Sequence, residues 1–452
     1  MLLSARYVLP IASPQITDGA VLVRGDRIVE VGELSALAAA HPDEEVRDFG
    51  LSVLMPGFVD VHTHLEYSAM RGLVDDLPYS QWKLQLLERE QRLDARDWED
   101  AALLGAAEAL QSGITTIADI TETGASAKAA VAAGLRAFIY REVSTMVKRD
   151  VPGVMARAAD DIAAWQEGAD PARITIGIAP HATYSCHPEL YRRVAEKAVA
   201  EGLPVSMHVA GSKDEYDFVK YGSSRLAVDY RDASRGASSV WLPTGVSPIR
   251  YLDQWGLFEV PQLLAVHCTQ ADDADIEILA GHDVAVAYCP RCNAKLGMGV
   301  APLGRMLQRG VRVGIGTDSP ASSNTLDMFD EMRIGLLIQR AVAGYEPHLV
   351  ARRFVRMATL GAAEALGIGR DVGSLEPGKQ ADIIAVDISQ SHQIPTVNPY
   401  STLVHTANQE NVVFTMVAGQ ALYDSGRWAL LDIERIGARA EEMRVTLRET
   451  ER

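Results

Sequence analysis

Short apolar runs recur through the middle of the chain and alternate with helix-like amphipathic stretches. Continuous apolar runs of about five residues are typical of strands that are buried on both faces of a parallel sheet. Helix-like stretches such as 98–112, 188–201 and 272–281 lie between the runs, and each ends at or next to a glycine, a common helix terminator. The pattern predicts eight buried strands, at 58–61, 115–119, 136–140, 175–179, 204–208, 263–267, 284–288 and 311–315.

Eight strand–helix units over about 320 residues predict an α/β fold with a (β/α)8 TIM-like barrel. The main alternative on pattern alone is an open, doubly wound sheet. That alternative loses support because no glycine-rich dinucleotide or phosphate-binding motif follows an early strand.

Both ends of the chain are rich in predicted strands. A hairpin pattern covers 20–32, and period-two alternation over 381–387 is followed by another strand pattern at 412–420. Because isolated hairpins cannot bury an apolar face, these segments are expected to form one small β-sandwich lobe. The predicted boundaries are 1–55 for the N-terminal part of this lobe, 56–372 for the barrel, 373–428 for the C-terminal part of the lobe and 429–452 for a C-terminal helix.

Composition and charge narrow the class of protein. Of 452 residues, 48% are hydrophobic and 23% are charged, as in globular proteins, and the net charge is −17. An acidic chain is a poor binder of nucleic acid or of anionic membranes, since both require basic surface. No uncharged apolar run approaches the ~20 residues of a membrane-spanning helix, and residues 1–14 do not resemble a secretion signal. We therefore expect a cytoplasmic protein.

The four cysteines are Cys186, Cys268, Cys289 and Cys292, too few in so long a chain for a disulfide framework. Cys289 and Cys292 form a single C-x-x-C motif, and no second pair completes a zinc knuckle. We predict that they are buried packing residues.

Imidazole and carboxylate side chains follow four of the predicted strands. His62 and His64 follow the first strand, His208 ends the fifth, His267 ends the sixth, and Asp318 follows the eighth. The C-terminal ends of barrel strands converge on one mouth, where active sites form. Two histidines at i and i+2 on an extended strand also share a face. Such a set of nitrogen and oxygen donors suits a borderline metal such as Zn²⁺.

The motif residues resemble the amidohydrolase superfamily, in its branch of aminohydrolases and chlorohydrolases that act on nitrogen heterocycles. The resemblance extends over essentially the whole chain and rests on 56–64, His208, His267 and 316–319. Three further stretches, 76–82, 180–185 and 322–332, are most similar to deaminases of adenine nucleosides. The known substrates of that subgroup are 5′-methylthioadenosine, S-adenosylhomocysteine, adenosine and aminodeoxyfutalosine. The stretches 245–252 and 289–299 are more similar to the aminodeoxyfutalosine group than to the thioadenosine group.

The resemblance also implies a set of ligands for one metal ion per chain, Zn²⁺ or alternatively Fe²⁺ or Mn²⁺. His62, His64, His208 and Asp318 would bind the ion, and His267 would be either a fifth ligand or a polarising neighbour. Asp318 would in addition move a proton from the attacking water to the departing ammonia.

Three residues match substrate contacts of the family. His181 would bind the substrate, Glu90 would accept hydrogen bonds from the sugar hydroxyls, and Arg141 would reach the 5′ substituent. Glu90 also fits a solvated helix face, because it belongs to the charged run 88–90. Arg141 also fits a surface or interface ion pair. The substrate is a small heterocycle or nucleoside, and a homodimer is expected from the resemblance alone.

One position departs from the family pattern. Where the family usually has a glutamate that protonates the ring nitrogen, three residues after the fifth-strand histidine, this chain has Gly211. Asp214 or Glu215 could fold back into the site, a water could relay the proton, or the chain could perform different or weaker chemistry. Two alternatives to nucleoside deamination therefore stay open: hydrolysis of another heterocycle, such as a triazine, and a catalytically silent homologue that serves as a binding protein.

Overall fold

The computed structural model describes residues 1–226 and 242–448. Its central feature is a parallel eight-stranded sheet in which the strands follow one another in chain order. All eight strands predicted from the apolar runs are present, so the predicted barrel is confirmed. The strands are β6 (Phe58–Thr63), β7 (Ile114–Thr121), β8 (Arg136–Val143), β9 (Ile174–Pro180), β10 (Val205–Val209), β11 (Leu263–His267), β12 (Ala285–Tyr288) and β13 (Val313–Ile315).

The first and last barrel strands meet where β13 passes β6. The backbone N–H of Asp318 donates to the carbonyl of His62 over 2.8 Å. The approach requires glycine at position 316, since a Cβ there would lie 2.9 Å from the His62 backbone nitrogen. Closure of the barrel therefore brings Asp318 beside His62, although Thr63 and its bridge partner Asp318 are 255 positions apart in the chain.

Helices cover the barrel between its strands. The predicted helix at 188–201 coincides with an observed helix, and those at 98–112 and 272–281 differ from observed helices by three residues or fewer. The described helices are α1 (Leu34–Ala40), α2 (Tyr79–Glu90), α3 (Ala95–Gln111), α4 (Ala125–Ala133), α5 (Val151–Glu167), α6 (Pro188–Glu201), α7 (Lys213–Tyr221), α8 (Pro248–Gln254), α9 (Asp273–Gly281), α10 (Pro290–Lys295), α11 (Leu303–Gln308), α12 (Pro320–Ser323), α13 (Met328–Ala343), α14 (Ala351–Met357), α15 (Leu360–Ala365), α16 (Pro399–His405) and α17 (Ile433–Arg448). None of these helices is both long and apolar enough to cross a membrane.

A second, mixed sheet combines strands from both ends of the chain. It is joined where β5 pairs antiparallel with β14, in a register that sets Val53 opposite Val386. The predicted lobe is therefore present, whereas the exact domain boundaries stay predictions. Residues 449–452 of the predicted C-terminal helix lie outside the described residues. The strands of this sheet are β1 (Leu2–Val8), β2 (Ile16–Arg24), β3 (Arg27–Glu33), β4 (Val46–Asp48), β5 (Ser52–Pro56), β14 (Ile383–Asp387), β15 (Val412–Val417), β16 (Gln420–Asp424) and β17 (Arg427–Trp428).

Candidate active site

The predicted histidines converge at the C-terminal mouth of the barrel. One ring nitrogen from each of His62, His64 and His208 lies within 4.8 Å of the other two. The His267 ring stacks on His208 at a centroid distance of 5.6 Å and lies 6.0 Å from His62. We call His62, His64, His208 and His267 the histidine cluster.

Backbone carbonyls determine which nitrogen each of two rings turns toward the centre. Nδ1 of His64 lies 2.9 Å from the carbonyl of Ile120, and Nδ1 of His208 lies 2.9 Å from the carbonyl of His181. Each Nδ1 must therefore carry the proton, so each neutral ring presents the lone pair of Nε2. These two Nε2 atoms are only 3.4 Å apart. Two lone pairs directed at each other are unfavourable unless a cation or a proton lies between them.

His62 shows the same need for a further partner. Its side chain is fully buried, and neither ring nitrogen has a hydrogen-bond partner among the residues described. Nε2 lies 3.6 Å from Oδ1 of Asp318. Buried polar atoms without partners are rare, and several at one point indicate an ion. Three imidazole nitrogens and a carboxylate oxygen are a donor set for a divalent metal.

Asp318 supplies the charge at this centre. Burial opposes its ionisation, but the nearby His62, His267 and His64 rings outweigh that effect and hold the pKa of the carboxyl well below its usual range. Its backbone lies in the left-handed region, with φ of 61°, as does that of His267 at 75°. Such conformations are strained for residues other than glycine and often occur where function requires a particular side-chain direction.

A second carboxylate, which the sequence analysis missed, organises the centre from behind. Asp60 is fully buried and accepts hydrogen bonds from the backbone N–H of His62 and of Thr317, each over 3.1 Å, and from the Thr317 hydroxyl. It thereby connects β6 to the segment that carries Asp318. The available signal was an aspartate inside an otherwise apolar strand, two positions before His62.

A cavity opens onto the cluster. His181 lines it, as predicted for a substrate contact, and its ring lies 5.3 Å from that of His208. Burial lowers the pKa of His181 well below its usual value, so the ring is neutral. Nδ1 of His181 lies 2.7 Å from the hydroxyl of Ser185, which leaves the other nitrogen for a ligand. Aromatic side chains cover another part of the cavity: Tyr67, Tyr79 and Trp82.

The other two predicted substrate residues lie outside the lining. The Glu90 carboxylate accepts a hydrogen bond from the hydroxyl of Tyr67 over 3.0 Å, so it lies directly behind a lining residue. The Arg141 guanidinium donates to Asp161 of α5 over 2.7 Å, on the outer side of β8. The roles predicted for Glu90 and Arg141 stay predictions.

Two charged lining residues had no place in the sequence analysis. Lys83 projects from α2, and Glu142 follows Arg141 on β8. The period-two alternation of a strand turns Glu142 into the cavity because it turns Arg141 outward. We call Lys83 and Glu142 the charged wall. Strand alternation around Arg141 was the signal that could have identified Glu142.

A nearby carboxylate is hydrogen-bonded to the backbone at Gly211. Glu215, on the first turn of α7, is buried and accepts a hydrogen bond from the Gly211 N–H over 2.8 Å and another from the Thr183 hydroxyl. Burial raises the pKa of Glu215 to about 7. Asp214 is half-buried one position earlier. Of these two residues, Glu215 is therefore the one that contacts the loop that lacks the family glutamate.

Cys289 and Cys292 agree with their predicted packing role. All four are buried and none forms a disulfide. Cys292 has an additional position that was not predicted, because it lines the cavity.

Comparison with known proteins identifies the family of this chain. The model of the amidohydrolase family matches residues 53–422, and a short match to the bacterial imidazolonepropionase-like composite domain covers 19–43. The chain belongs to the amidohydrolase family. This amidohydrolase is 35% identical to a 5-methylthioadenosine/S-adenosylhomocysteine deaminase of Pelotomaculum thermopropionicum, over 99% of this chain and 98% of the relative.

Two solved structures extend the comparison. An adenosine deaminase from Xanthomonas campestris with bound zinc superposes with a TM-score of 0.86 at 30% identity, over 99% of this chain and 98% of the other. A zinc complex of an atrazine chlorohydrolase from Arthrobacter aurescens superposes with a TM-score of 0.82 at 23% identity, over 98% and 99% of the two chains. The second likeness concerns the fold alone. With the histidine cluster, the first supports a divalent metal in this amidohydrolase.

Proposed function

We propose that this amidohydrolase hydrolyses the exocyclic amino group of an adenine nucleoside and releases ammonia. The observation that carries the proposal is the convergence of three histidine nitrogens on an ionised Asp318 at the floor of a cavity that is lined by aromatic side chains. The full-length similarity to a deaminase of thioadenosine nucleosides supports the choice of substrate class.

The metal is Zn²⁺, one ion per chain, held by His62, His64, His208 and Asp318. Imidazole nitrogen and carboxylate oxygen are ligands of catalytic zinc sites, and the zinc-containing deaminase relative supports this choice over Fe²⁺ or Mn²⁺. When bound, such an ion supplies Lewis acidity and lowers the pKa of water to about 7.

The residues of the chain then have separate tasks. Ionised Asp318 accepts the proton of the attacking water and passes it to the leaving ammonia, as a general base and then a general acid. His267 is neutral because burial lowers its pKa to about 4, so it interacts with the attacking water without a charge of its own. His181 binds the heterocycle through the ring nitrogen that does not contact Ser185. Glu90, which lies behind Tyr67, is the proposed acceptor for the sugar hydroxyls.

The ring nitrogen must also receive a proton as water adds. The family glutamate is absent, and the Glu215 carboxyl beside the Gly211 amide supports a substitute source of that proton. Because Glu215 does not itself line the cavity, the proton would travel through a water. Asp214 and a catalytically silent chain remain the competing hypotheses.

The test is ammonia release and loss of adenine absorbance from adenosine, 5′-methylthioadenosine, S-adenosylhomocysteine and aminodeoxyfutalosine. Metal-loaded protein should turn over at least one of them, and the His208→Ala variant should turn over none. Metal-loaded protein that leaves all four intact would exclude the proposal. Chloride release from atrazine in that case would support the triazine alternative, and metal without any turnover would support a binding protein. A homodimer and a cytoplasmic location stay predictions.

A further inference from the structure

A second pocket, outside the catalytic cavity, is lined by basic side chains. None of the described residues that line this pocket is acidic, and its polar wall consists of His348, Arg352, Arg353, Arg356 and Tyr400. None of these five residues lines the catalytic cavity. The pocket is a local exception in a chain whose net charge is −17. We call Arg352, Arg353, Arg356 and Tyr400 the arginine pocket.

The arginine pocket is separated from the mouth of the barrel. Its arginines belong to α14, and Ala358, the residue after this helix, accepts a hydrogen bond from the N–H of Val59 at the start of β6. His62 lies near the opposite end of the same strand. Since the mouth is at the C-terminal strand ends, α14 ends at the other face of the barrel. A ligand of the arginine pocket would therefore be distinct from the ligand of the catalytic cavity.

Two positive charges of the arginine pocket are not compensated. The Arg356 guanidinium donates to both carboxylate oxygens of Glu364, over 2.7 and 2.8 Å, and is thereby neutralised. Neither Arg352 nor Arg353 forms an ion pair with any residue in the described part of the chain. Glu346, the acidic residue that precedes them, lies with its carboxylate against α11 instead. The pocket thus presents two guanidinium groups that have no counter-charge.

A buried hydroxyl faces the same pocket. Tyr400 of α16 is only 8% exposed, and its hydroxyl has no hydrogen-bond partner among the described residues. The Arg352 guanidinium lies 5.7 Å from the centre of the Tyr400 ring. Burial raises the pKa of the phenol although Arg352 opposes this shift, so the hydroxyl keeps its proton and can donate it in a hydrogen bond. A buried donor without an acceptor is unfavourable, and a ligand oxygen at this point would remove that cost.

We propose that the arginine pocket binds the phosphate group of a small molecule. Guanidinium groups bind phosphate through paired N–H donors, and a phosphate monoester carries roughly two negative charges at neutral pH. These charges match the two uncompensated arginines, whereas a carboxylate would offset only one of them. The phosphate oxygens are also numerous enough to accept from Arg352, Arg353 and Tyr400 together. The inference does not depend on the proposed function, because the catalytic cavity has no part in it.

Calorimetric titration with inorganic phosphate and with ribose 5-phosphate tests the proposal, at constant ionic strength and with chloride as the reference anion. Both phosphates should bind, and ribose and chloride should not. The tighter of the two identifies whether the pocket takes a free phosphate or a phosphate monoester. The His208→Ala variant should bind them equally well, which excludes a metal ion in the catalytic cavity as the place of binding.

Two variants assign the contacts. Arg353→Met should raise the Kd for phosphate roughly tenfold or more, the range for a lost hydrogen bond between charged groups. Tyr400→Phe should raise the Kd roughly threefold to tenfold, the range for a neutral donor. Because the hydroxyl that it removes has no partner in the described chain, Tyr400→Phe should not lower the Tm of the phosphate-free protein. Arg149→Met removes an exposed arginine beside α5 and is the matched control, which should keep the original Kd.

Three results would overturn the inference. Phosphate that binds no better than chloride would mean that the arginines attract any counter-ion. A Kd that is unchanged in both Arg353→Met and Tyr400→Phe would place the phosphate elsewhere. A dimer that forms without phosphate and dissociates in Arg353→Met, measured by sedimentation, would mean that acidic groups of a second copy occupy the pocket.

Discussion

In the histidine cluster, His64 and His208 are oriented by backbone carbonyls, whereas Lys83 and Glu142 of the charged wall have no partner within the described chain. The cluster is thus built for an ion whose position the protein determines beforehand. The charged wall places an ammonium and a carboxyl group in the cavity lining. The difference is therefore one of preorganisation: backbone contacts fix the rings at the strand ends, whereas the two charged groups of the cavity lining are not held by hydrogen bonds to the described residues.

The largest effect is expected when a ligand of the histidine cluster is removed. His208→Ala should reduce bound metal from about one equivalent to near zero and abolish turnover, because few donors remain at the centre. Elemental analysis of protein purified without chelator measures the metal. His348→Ala, at an exposed histidine that does not line the cavity, is the matched control and should keep its metal. Full metal content in His208→Ala would contradict the assigned ligand set.

The next effect concerns Asp318 alone. Asp318→Asn keeps the shape of the side chain but removes its ability to accept a proton. Turnover should fall by roughly 10²–10⁴-fold, the usual contribution of a general base. Metal content must be measured in the same preparation, so that a loss of chemistry is distinguished from a loss of the ion. Near-normal turnover with the metal retained would remove Asp318 from the proton pathway.

The histidine cluster was predictable from sequence because strand ends and parallel topology together specify it. His62, His208 and His267 end or nearly end apolar runs, and the barrel brings those ends to one mouth. The charged wall was not predictable in the same way. Arg141 and Glu142 are adjacent, and only the strand register decides which of them faces the cavity. Lys83 lies on a helix whose rotation about its own axis depends on tertiary packing.

A smaller effect is expected for Glu215, on how the free energy of unfolding depends on pH. Because burial raises the pKa of this carboxyl from 4.5 to about 7, the folded state binds the proton more tightly than the unfolded chain. The resulting stabilisation is complete below pH 4.5 and is lost as the pH rises through 7. Glu215→Gln keeps partners for Gly211 and Thr183 and should flatten this decline in the free energy of unfolding by about 3 kcal/mol at most.

Denaturant unfolding between pH 4.5 and pH 8 measures that slope. Asp214→Asn is the matched control, since it changes the neighbouring half-buried carboxylate and should preserve the decline. A slope in Glu215→Gln equal to that of the unmodified chain would show that Glu215 ionises as easily in the folded state as in the unfolded one.

The smallest effect is expected for Gly211→Glu, which tests whether the site has room for the glutamate that the family usually has at this position. A Cβ at position 211 would lie 3.0 Å from Cδ2 of His267 and 3.1 Å from Cε of Met298, so His267 must shift to accommodate any side chain. The Glu215 carboxyl already accepts the hydrogen bond of the Gly211 N–H. Crowding of this kind costs about 1–3 kcal/mol, so Gly211→Glu should lower kcat/KM roughly tenfold. Gly437→Glu, on the exposed face of α17 with open space around it, is the control. A gain in deamination by Gly211→Glu would mean that the pocket has room and that this chain lacks an efficient proton donor; Glu215 would then have no part in supplying that proton.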